Sequence, residues 1–173
     1  EDLLGFTSTR WGERPIEEVK AEIRAYYEHY PVTGIFLDEL PSEADMLDVD
    51  ANGALIHSPI WAARMAYYSE LHAFVRSLGG PARGRVVANP GTRTIEAFLT
   101  GEAGYGPGAD DLIVFENDAA TLLGGGYVPT PWNADPAYRD HLGYLVHSTD
   151  AAQLSTVLSR VQGNGARIVY VTD

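Results

Sequence analysis

Apolar residues cluster in six short runs along the chain, each rich in β-branched or aromatic residues and bounded by polar positions, which predicts six β-strands. The runs are Leu3–Thr9, Gly34–Glu39, Arg85–Gly91, Leu112–Asn117, Leu142–Ser148 and Arg167–Asp173. Most of them start about thirty residues apart, which is the length of one strand–helix unit. The pattern therefore indicates strands that alternate with helices.

The segments between these runs carry a helical pattern. Apolar residues recur at helical spacing in Pro15–Tyr30, Ser58–Gly79 and Asp150–Gly163, with residue types typical of helix starts and stops at their ends. The segments after Gly91 and Asn117 predict only short, weak helices. Strand, helix and strand repeated in this order predict an α/β fold with parallel strands and right-handed crossovers.

Two architectures fit this order, an open doubly wound sheet and a (β/α)8 barrel. In both, functional groups gather at the carboxyl ends of the strands. All six runs end or continue in polar residues, which read STRWG, DE, NPG, EN, HS and TD. An open sheet binds its ligand only where the strand order reverses. Polar residues at all six strand ends therefore favour the TIM-barrel type.

A TIM barrel has eight strands, whereas six units account for all 173 residues. We therefore expect residues 1–173 to form a single, partial TIM-barrel domain that supplies about the last six βα units. The first two units are expected to precede Glu1, because the chain begins without Met and inside an apolar run.

The composition narrows the possible partners. Acidic residues number 24 against 12 basic ones, and the formal net charge is −12. Nucleic acids and anionic membranes attract basic patches, so neither is expected, whereas a neutral or cationic ligand is compatible. Cysteine is absent, and no apolar run reaches the about 18 residues of a membrane span. No nucleotide-binding motif or metal-binding histidine spacing occurs, so we expect no cofactor and no metal.

The polar strand ends supply the candidate chemistry. The GIFLDE run, Gly34–Glu39, ends in two acids, and alternation along a strand puts Asp38 on the face of Phe36 and Glu39 on the other. Further candidates at strand ends are Asn89, Glu116, Asn117, His147 and Asp173. Glycoside hydrolysis generally uses two carboxylates on opposite sides of a pocket. Asp38 and Glu116 end the second and fourth predicted strands, a separation that could span the bond to be cleaved. The structural alternative is that such acids cap helices or pair with arginine.

Several aromatic residues near the strand ends could stack on a sugar ring, and the alternative for each is to anchor a loop. Trp11 is the strongest of these candidates, and the others are Tyr105, Tyr127, Trp132 and Tyr144. The stretch Asp48–Gly53 matches the start of a calcium loop, but its twelfth position is Pro59 and not Glu, which favours a solvated acidic loop.

Taken together, the motifs resemble the spherulin-4-like family, which includes glycoside hydrolase family 135. The resemblance rests on Gly5–Arg14, the GIFLDE strand, the Asn89-Pro90-Gly91 turn and the Phe115-Glu116 strand end, followed by Leu145–Ser148 and Tyr170–Asp173. Six motifs occur in the family's order over nearly the whole chain. Trp11 stands where the family usually has Tyr, which preserves a ring for stacking, and the stretch after Glu39 is longer than expected.

The resemblance implies a (β/α)8 fold and an extracellular or cell-surface hydrolase of α-1,4-linked galactosamine or N-acetylgalactosamine polysaccharide. It maps the catalytic residues onto Asp38, Asn89 and Glu116. Asp38 would be the nucleophile or charge stabiliser, Glu116 the general acid/base and Asn89 the residue that orients substrate. The two acids could exchange roles, or an N-acetyl group could replace the nucleophile. Substrate-binding residues would be Trp11, Glu39, Tyr144 and His147.

The acidic chain would suit a partly deacetylated, cationic polymer. Two alternatives stay open: a spherulin-4-like protein that binds carbohydrate without cleaving it, and an α/β domain whose strand-end acids only cap helices. The sequence predicts no oligomeric state.

Overall fold

The computed structural model describes residues 2–173, and its centre is a six-stranded parallel sheet. The eight strands are β1 (Leu4–Ser8), β2 (Gly34–Asp38), β3 (Leu47–Val49), β4 (Leu55–His57), β5 (Arg85–Asn89), β6 (Asp111–Asp118), β7 (Leu142–His147) and β8 (Ala166–Val171). The six helices are α1 (Ile16–His29), α2 (Glu43–Met46), α3 (Trp61–Arg83), α4 (Ala97–Thr100), α5 (Ala119–Leu123) and α6 (Leu154–Gly163). Two 3-10 turns cover Arg10–Gly12 and Pro136–His141.

The strands of the large sheet follow one another in chain order, β1-β2-β5-β6-β7-β8. A doubly wound sheet reverses its order at a switch point, so this alternative does not describe the chain. Within residues 2–173, however, β1 and β8 lie at opposite edges and do not pair, so the predicted TIM barrel is not confirmed as a closed barrel. The structure shows a mixed α/β fold with a singly wound parallel sheet.

The hydrophobic core lies between the sheet and the helices. Ile35 and Leu37 of β2 are fully buried in it beside Val19 of α1 and Met65 of α3. The opposite face is open at its two edge strands, where Phe6 of β1 keeps 51% and Tyr170 of β8 keeps 61% of its surface exposed, whereas Val87 of β5 in the middle of this face is buried. Phe6 stacks on Phe36 across this face with 6.0 Å between ring centroids. Alternation along the strands thus separates a buried helix face from an open face.

The long helices lie close to the predicted segments, with differences at their ends. Helix α3 continues past Gly79 to Arg83 across a break at Gly80, whose φ is 61°. Helix α6 begins at Leu154 and not at Asp150, because residues 151–153 form turns. No helix among residues 2–173 combines the length and the apolar character that a membrane crossing requires.

The β3–β4 hairpin was not predicted and explains the calcium-like motif. The Asp50 carboxylate accepts hydrogen bonds from the backbone N–H groups of Asn52 (2.8 Å) and Ala54 (2.9 Å). These bonds, first that from Ala54, hold the pKa of Asp50 below its usual value. The aspartate therefore closes the hairpin turn, as short acidic side chains commonly do.

Candidate active site

The register of the parallel strands brings three candidate residues together at the carboxyl edge of the sheet. Asp38 is the partner of Ser8 on one side and of Asn89 on the other, so these side chains share the open face. Asn89 Nδ2 donates one hydrogen bond to Asp38 Oδ1 (2.9 Å) and one to Glu116 Oε2 (2.8 Å). One buried amide thus joins the two carboxylates that the sequence singled out.

The Asn-Pro-Gly turn fixes the orientation of that amide. Asn89 Oδ1 accepts the backbone N–H of Gly91 at 2.8 Å, so the NH₂ end of the side chain must face the carboxylates. Gly91 has a φ of 66°, which favours glycine, and its carbonyl accepts the backbone N–H of Glu116 at 3.0 Å. The turn therefore couples the ends of β5 and β6.

An irregularity in β6 determines where Glu116 points. The pairing of β6 with β7 shifts register between Ile113 and Phe115, and the consecutive residues Val114 and Phe115 both pack into the core under the helices. Regular alternation would have placed Glu116 on the side of Val114. The extra residue returns Glu116 to the open face. β-Bulges next to active sites often redirect a side chain in this way.

The two hydrogen bonds of Asn89 bear on the spacing of the carboxyl groups. The N–H bonds of a planar amide diverge by about 120°, so straight hydrogen bonds of 2.9 and 2.8 Å would put the two accepting oxygens about 5 Å apart. Retaining glycosidases have carboxyl groups about 5–5.5 Å apart, whereas inverting ones need about 6.5–9.5 Å to admit a water. Ideal amide geometry therefore gives the shorter of the two spacings.

Glu39 does not point away from Asp38 as strand alternation predicts, and this expectation has to be corrected. Its φ is 59°, so the strand ends at Asp38, and the Glu39 carboxylate accepts a short hydrogen bond from Ser8 Oγ on the open face. A left-handed conformation is uncommon for a side chain larger than Asn and marks a constrained position.

Buried hydroxyl groups hold this turn from the helix side. Thr9 Oγ1 lies 2.9 Å from the Asp38 carbonyl oxygen and 3.0 Å from that of Glu39, and Tyr68 of α3 contacts Thr9 Oγ1 at 2.6 Å. Burial raises the pKa of Tyr68, so its hydroxyl stays protonated and donates. Sequence reasoning missed Ser8, Thr9 and Tyr68. In the sequence, only the polar end of the first strand indicates Ser8 and Thr9, and the pattern around Tyr68 predicts a core residue.

Trp11 and His147 lie at the same edge. Trp11 follows β1 in a left-handed conformation (φ 54°), is 51% exposed and donates its backbone N–H to the Glu39 carbonyl at 2.8 Å. His147 ends β7 and lines a cavity of about 120 Å³ together with Glu116 and Tyr170. Both residues are therefore near the carboxylates and open to solvent.

Tyr144 is not part of this group. It is 1% exposed and packs under the helices against Phe115 and Tyr127, with centroid distances of 6.0 and 5.8 Å. Burial raises its pKa, which is typical of a core tyrosine. Because its ring faces the core, a substrate contact for Tyr144 is not retained. Asn117 and Asp173 are exposed at the same edge, and among residues 2–173 the side chains of these two residues hydrogen-bond only to their chain neighbours Asp118 and Thr172.

The carboxylates of this group have neutral partners. Asp38, Glu39 and Glu116 take part in no salt bridge with the cationic side chains of residues 2–173, and their partners are Asn89 and Ser8. Nor does any cluster of three acidic, histidine or cysteine residues in that range have the geometry to hold a metal ion. The arrangement offers acid/base and nucleophilic chemistry from carboxyl groups alone.

Comparison with known proteins identifies the family of the chain. The model of spherulation-specific family 4 matches residues 1–173, and the chain belongs to this family. Spherulin-4 of Physarum polycephalum is 26% identical over 181 residues, which cover 99% of this chain and 46% of that protein. The crystal structure of Aspergillus clavatus Sph3 in complex with GalNAc superposes with a TM-score of 0.68 at 25% identity, covering 99% of this chain and 63% of the other.

The chain therefore spans about half to two-thirds of the length of these relatives. The resemblance to the spherulin-4-like family is confirmed.

Proposed function

We propose that this chain is the catalytic part of a retaining endo-glycosidase that cleaves α-1,4-linked galactosamine or N-acetylgalactosamine polysaccharide. The observation that carries the proposal is the Asn89 amide, which donates hydrogen bonds to both Asp38 and Glu116. Ideal amide geometry would put the two accepting oxygens about 5 Å apart, as in a retaining pair. The family resemblance supplies the substrate class, and the relative Sph3 was crystallised in complex with GalNAc. A partly deacetylated, cationic polymer would suit the net charge of −12.

Glu116 is assigned as the general acid/base because it is exposed, and the water of the second step has to reach it. In the first step it protonates the glycosidic oxygen while the Asp38 carboxylate attacks the anomeric carbon. In the second step Glu116 takes a proton from water, which displaces Asp38 from that carbon and leaves both carboxyl groups as they began. Asn89 positions both acids, since its two N–H groups are occupied by them.

A participating N-acetyl group would be the competing form of this mechanism, with the acetamido oxygen attacking the anomeric carbon in place of Asp38. In an α-linked unit, however, the acetamido group at C2 lies on the same face as the leaving oxygen, so its oxygen cannot attack from the opposite face. A galactosamine unit with a free amine has no such oxygen at all. Cleavage at acetylated and at deacetylated units therefore requires Asp38 itself as the nucleophile.

The remaining substrate contacts are part of the same proposal. Trp11 would stack on a sugar ring, and Glu39 and His147 would contact hydroxyl groups beside the carboxylates. We further propose that the singly wound sheet is part of a (β/α)8 barrel and that the protein acts outside the cell or at its surface. Both points follow from the family resemblance.

The test is polysaccharide cleavage by Asp38→Asn and Glu116→Gln variants, with release of reducing ends as the measurement. Removal of either group should lower the rate by roughly 10³-fold, within the range for acid/base and nucleophilic groups. Glu28→Gln, which changes an exposed acid of α1, is the matched control and should keep the rate of the parent. If both site variants cleave as fast as the parent, the proposal fails.

The second candidate function is carbohydrate binding without catalysis. It is favoured by the open face of the sheet, where Phe6 and Tyr170 are exposed and β1 and β8 stay apart among residues 2–173. A sugar would be held from one side only in such an arrangement. A parent chain that binds galactosamine polymers and releases no reducing ends would establish this alternative.

A further inference from the structure

A second cavity lies among the loops that follow the strands, apart from the carboxylate group. Its volume is about 340 Å³, and its wall comes from the loops after β2, β5 and β6, with Trp61, Ile95, Pro131 and Trp132 among the lining residues. Most of this wall is apolar and aromatic, as in sites that bind small organic molecules.

Hydrogen bonds join this wall to the candidate active site. Thr94, five residues after Asn89, donates its hydroxyl to the carbonyl of Pro41 at 2.8 Å, and Pro41 lies three residues after Asp38. Trp132 Nε1 in turn donates to the Thr94 carbonyl at 3.1 Å. The loops that leave the two strands therefore position the cavity in one connected layer above the sheet.

Three carboxylates line the cavity, and the surrounding cations balance only one of them. Glu43 pairs with Arg93 at 2.7 Å. Glu96 accepts a hydrogen bond from the neutral hydroxyl of Tyr138, and Glu102 meets His57 Nε2 at 3.1 Å. The permanent charges therefore leave an excess of negative charge around an apolar pocket, which suits a cation.

Two buried polar groups in the wall also lack partners. Trp61 is 4% and Thr130 is 2% exposed, and among residues 2–173 neither Trp61 Nε1 nor Thr130 Oγ1 has a hydrogen-bond partner. Buried donors are normally satisfied, so these two groups are exceptions in the wall of the cavity.

We propose that this cavity is a second subsite that binds a hexosamine unit with a free ammonium group. The apolar wall with Trp132 would contact the sugar ring, and Glu96 and Glu102 would face the ammonium group. The choice of an amino sugar rests on the proposed function, because the same polymer would cross both the cavity and the carboxylate pair. The subsite would select deacetylated units at a distance from the bond that is cleaved.

The experiment is an NMR titration of the chain with galactosamine at about pH 7, where a primary amine is still mostly charged and an ordinary imidazole is mostly neutral. The three tryptophans give three indole N–H signals, of which Trp61 and Trp132 report on the cavity and Trp11 on the edge near Asp38. Galactosamine should shift the Trp61 and Trp132 signals with an affinity at least about fivefold above that of galactose or N-acetylgalactosamine.

Glu96→Gln combined with Glu102→Gln should weaken galactosamine binding about five- to tenfold, since two charge interactions are lost. Glu18→Gln combined with Glu28→Gln removes the same charge from exposed positions of α1 and should leave the affinity unchanged. On a partly deacetylated polymer, the first double variant should raise KM about fivefold with kcat nearly constant.

The outcomes separate this inference from the proposed function. Polymer cleavage without shifts of Trp61 and Trp132, equal affinity for galactosamine and galactose, or full affinity in the Glu96/Glu102 variant would each overturn the subsite. Charge-dependent binding in the cavity without polymer cleavage would support the subsite and count against the glycosidase.

Discussion

Acidic residues lie at both edges of the parallel sheet, with cationic partners at the amino edge and neutral partners at the carboxyl edge. At the amino edge, Asp111 is 1% exposed and accepts a 2.6 Å hydrogen bond from Arg85, and Asp110 contacts both His72 and Arg76. At the carboxyl edge, Asp38 and Glu116 share one neutral amide. The same residue types therefore stabilise the fold at one edge, where cations accompany them, and stay available for chemistry at the other.

The largest expected effect comes from the amide that the two carboxylates share. Asn89→Ala should lower polymer cleavage about 10²- to 10³-fold, because both acids lose the group that fixes their spacing. The stability of the fold should change much less than the rate. Asn117→Ala is the matched control at the same edge and should cleave like the parent. Equal rates for Asn89→Ala and the parent would remove the distinction between the two edges.

At the amino edge, a comparable substitution should lower the stability of the fold. Asp111→Asn should lower the free energy of unfolding by about 2–3 kcal/mol, because the partly buried Arg85 loses its buried partner and keeps, among residues 2–173, only the exposed Asp2 at 3.5 Å. The hydrogen bond to Asp111 is the main cause of the raised pKa of Arg85. Asp38→Asn, with no cation nearby, should change stability by less than about 0.5 kcal/mol. Urea unfolding measures both variants, and similar losses in the two would contradict the comparison.

The Asn-Pro-Gly turn tests how tightly the carboxyl edge is fitted. A Cβ on Gly91 would lie 3.4 Å from Glu116 Oε2, and the φ of 66° disfavours any other residue. Gly91→Ala should cost about 1 kcal/mol of stability and lower the cleavage rate severalfold. Gly125→Ala, also at positive φ but with open space around its Cβ, is the control for the backbone cost alone. If Gly91→Ala and Gly125→Ala lower the cleavage rate by the same factor, the contact with Glu116 has no role in catalysis.

The smallest effect is a pH dependence at the amino edge. Burial acts to raise the pKa of Asp110, but hydrogen bonds from His72 and the Val86 N–H and the charge of Arg76 lower it below its usual value. A carboxyl group whose pKa is lower in the folded than in the unfolded state stabilises the fold at a pH above its unfolded-state pKa of about 3.9. That stabilisation is lost as the pH falls through the folded-state pKa. Asp110→Asn should therefore be up to about 1 kcal/mol less stable than the parent at pH 7.

The difference between Asp110→Asn and the parent should shrink as the pH falls below about 3.9, and it should vanish once the pH is below the lowered folded-state pKa, where the carboxylate is protonated in both states. Thermal unfolding across this range measures it. A difference that stays constant down to that pH would mean that the charge of Asp110 does not act as described.

Local pattern was sufficient to predict much of the sheet and part of the site. The β-branched runs predicted all six strands of the large sheet, and alternation placed Asp38 on the face of Phe36, which is the open face. These features depend on nearest neighbours along one strand, so the sequence carries them directly.

The rest depends on contacts between distant segments. The bulge that turns Glu116 to the open face appears only in the pairing of β6 with β7, and the left-handed Glu39 is held by Thr9 and Tyr68 from other elements. Tyr144 looked like an edge residue because its strand ends there, yet its side of the strand faces the helices. Tertiary context decides such cases, and strand pattern alone does not contain it.

The most direct test of the central claim is the anomeric form of the first product released from an α-1,4-linked galactosaminogalactan oligomer, followed by ¹H NMR before mutarotation. Carboxyl groups about 5 Å apart predict that the α-anomer appears first, because attack by Asp38 and then by water inverts the anomeric carbon twice. A first product with the β-anomer, or no cleavage by the chain, would contradict the assignment of Asp38 and Glu116 as a retaining pair.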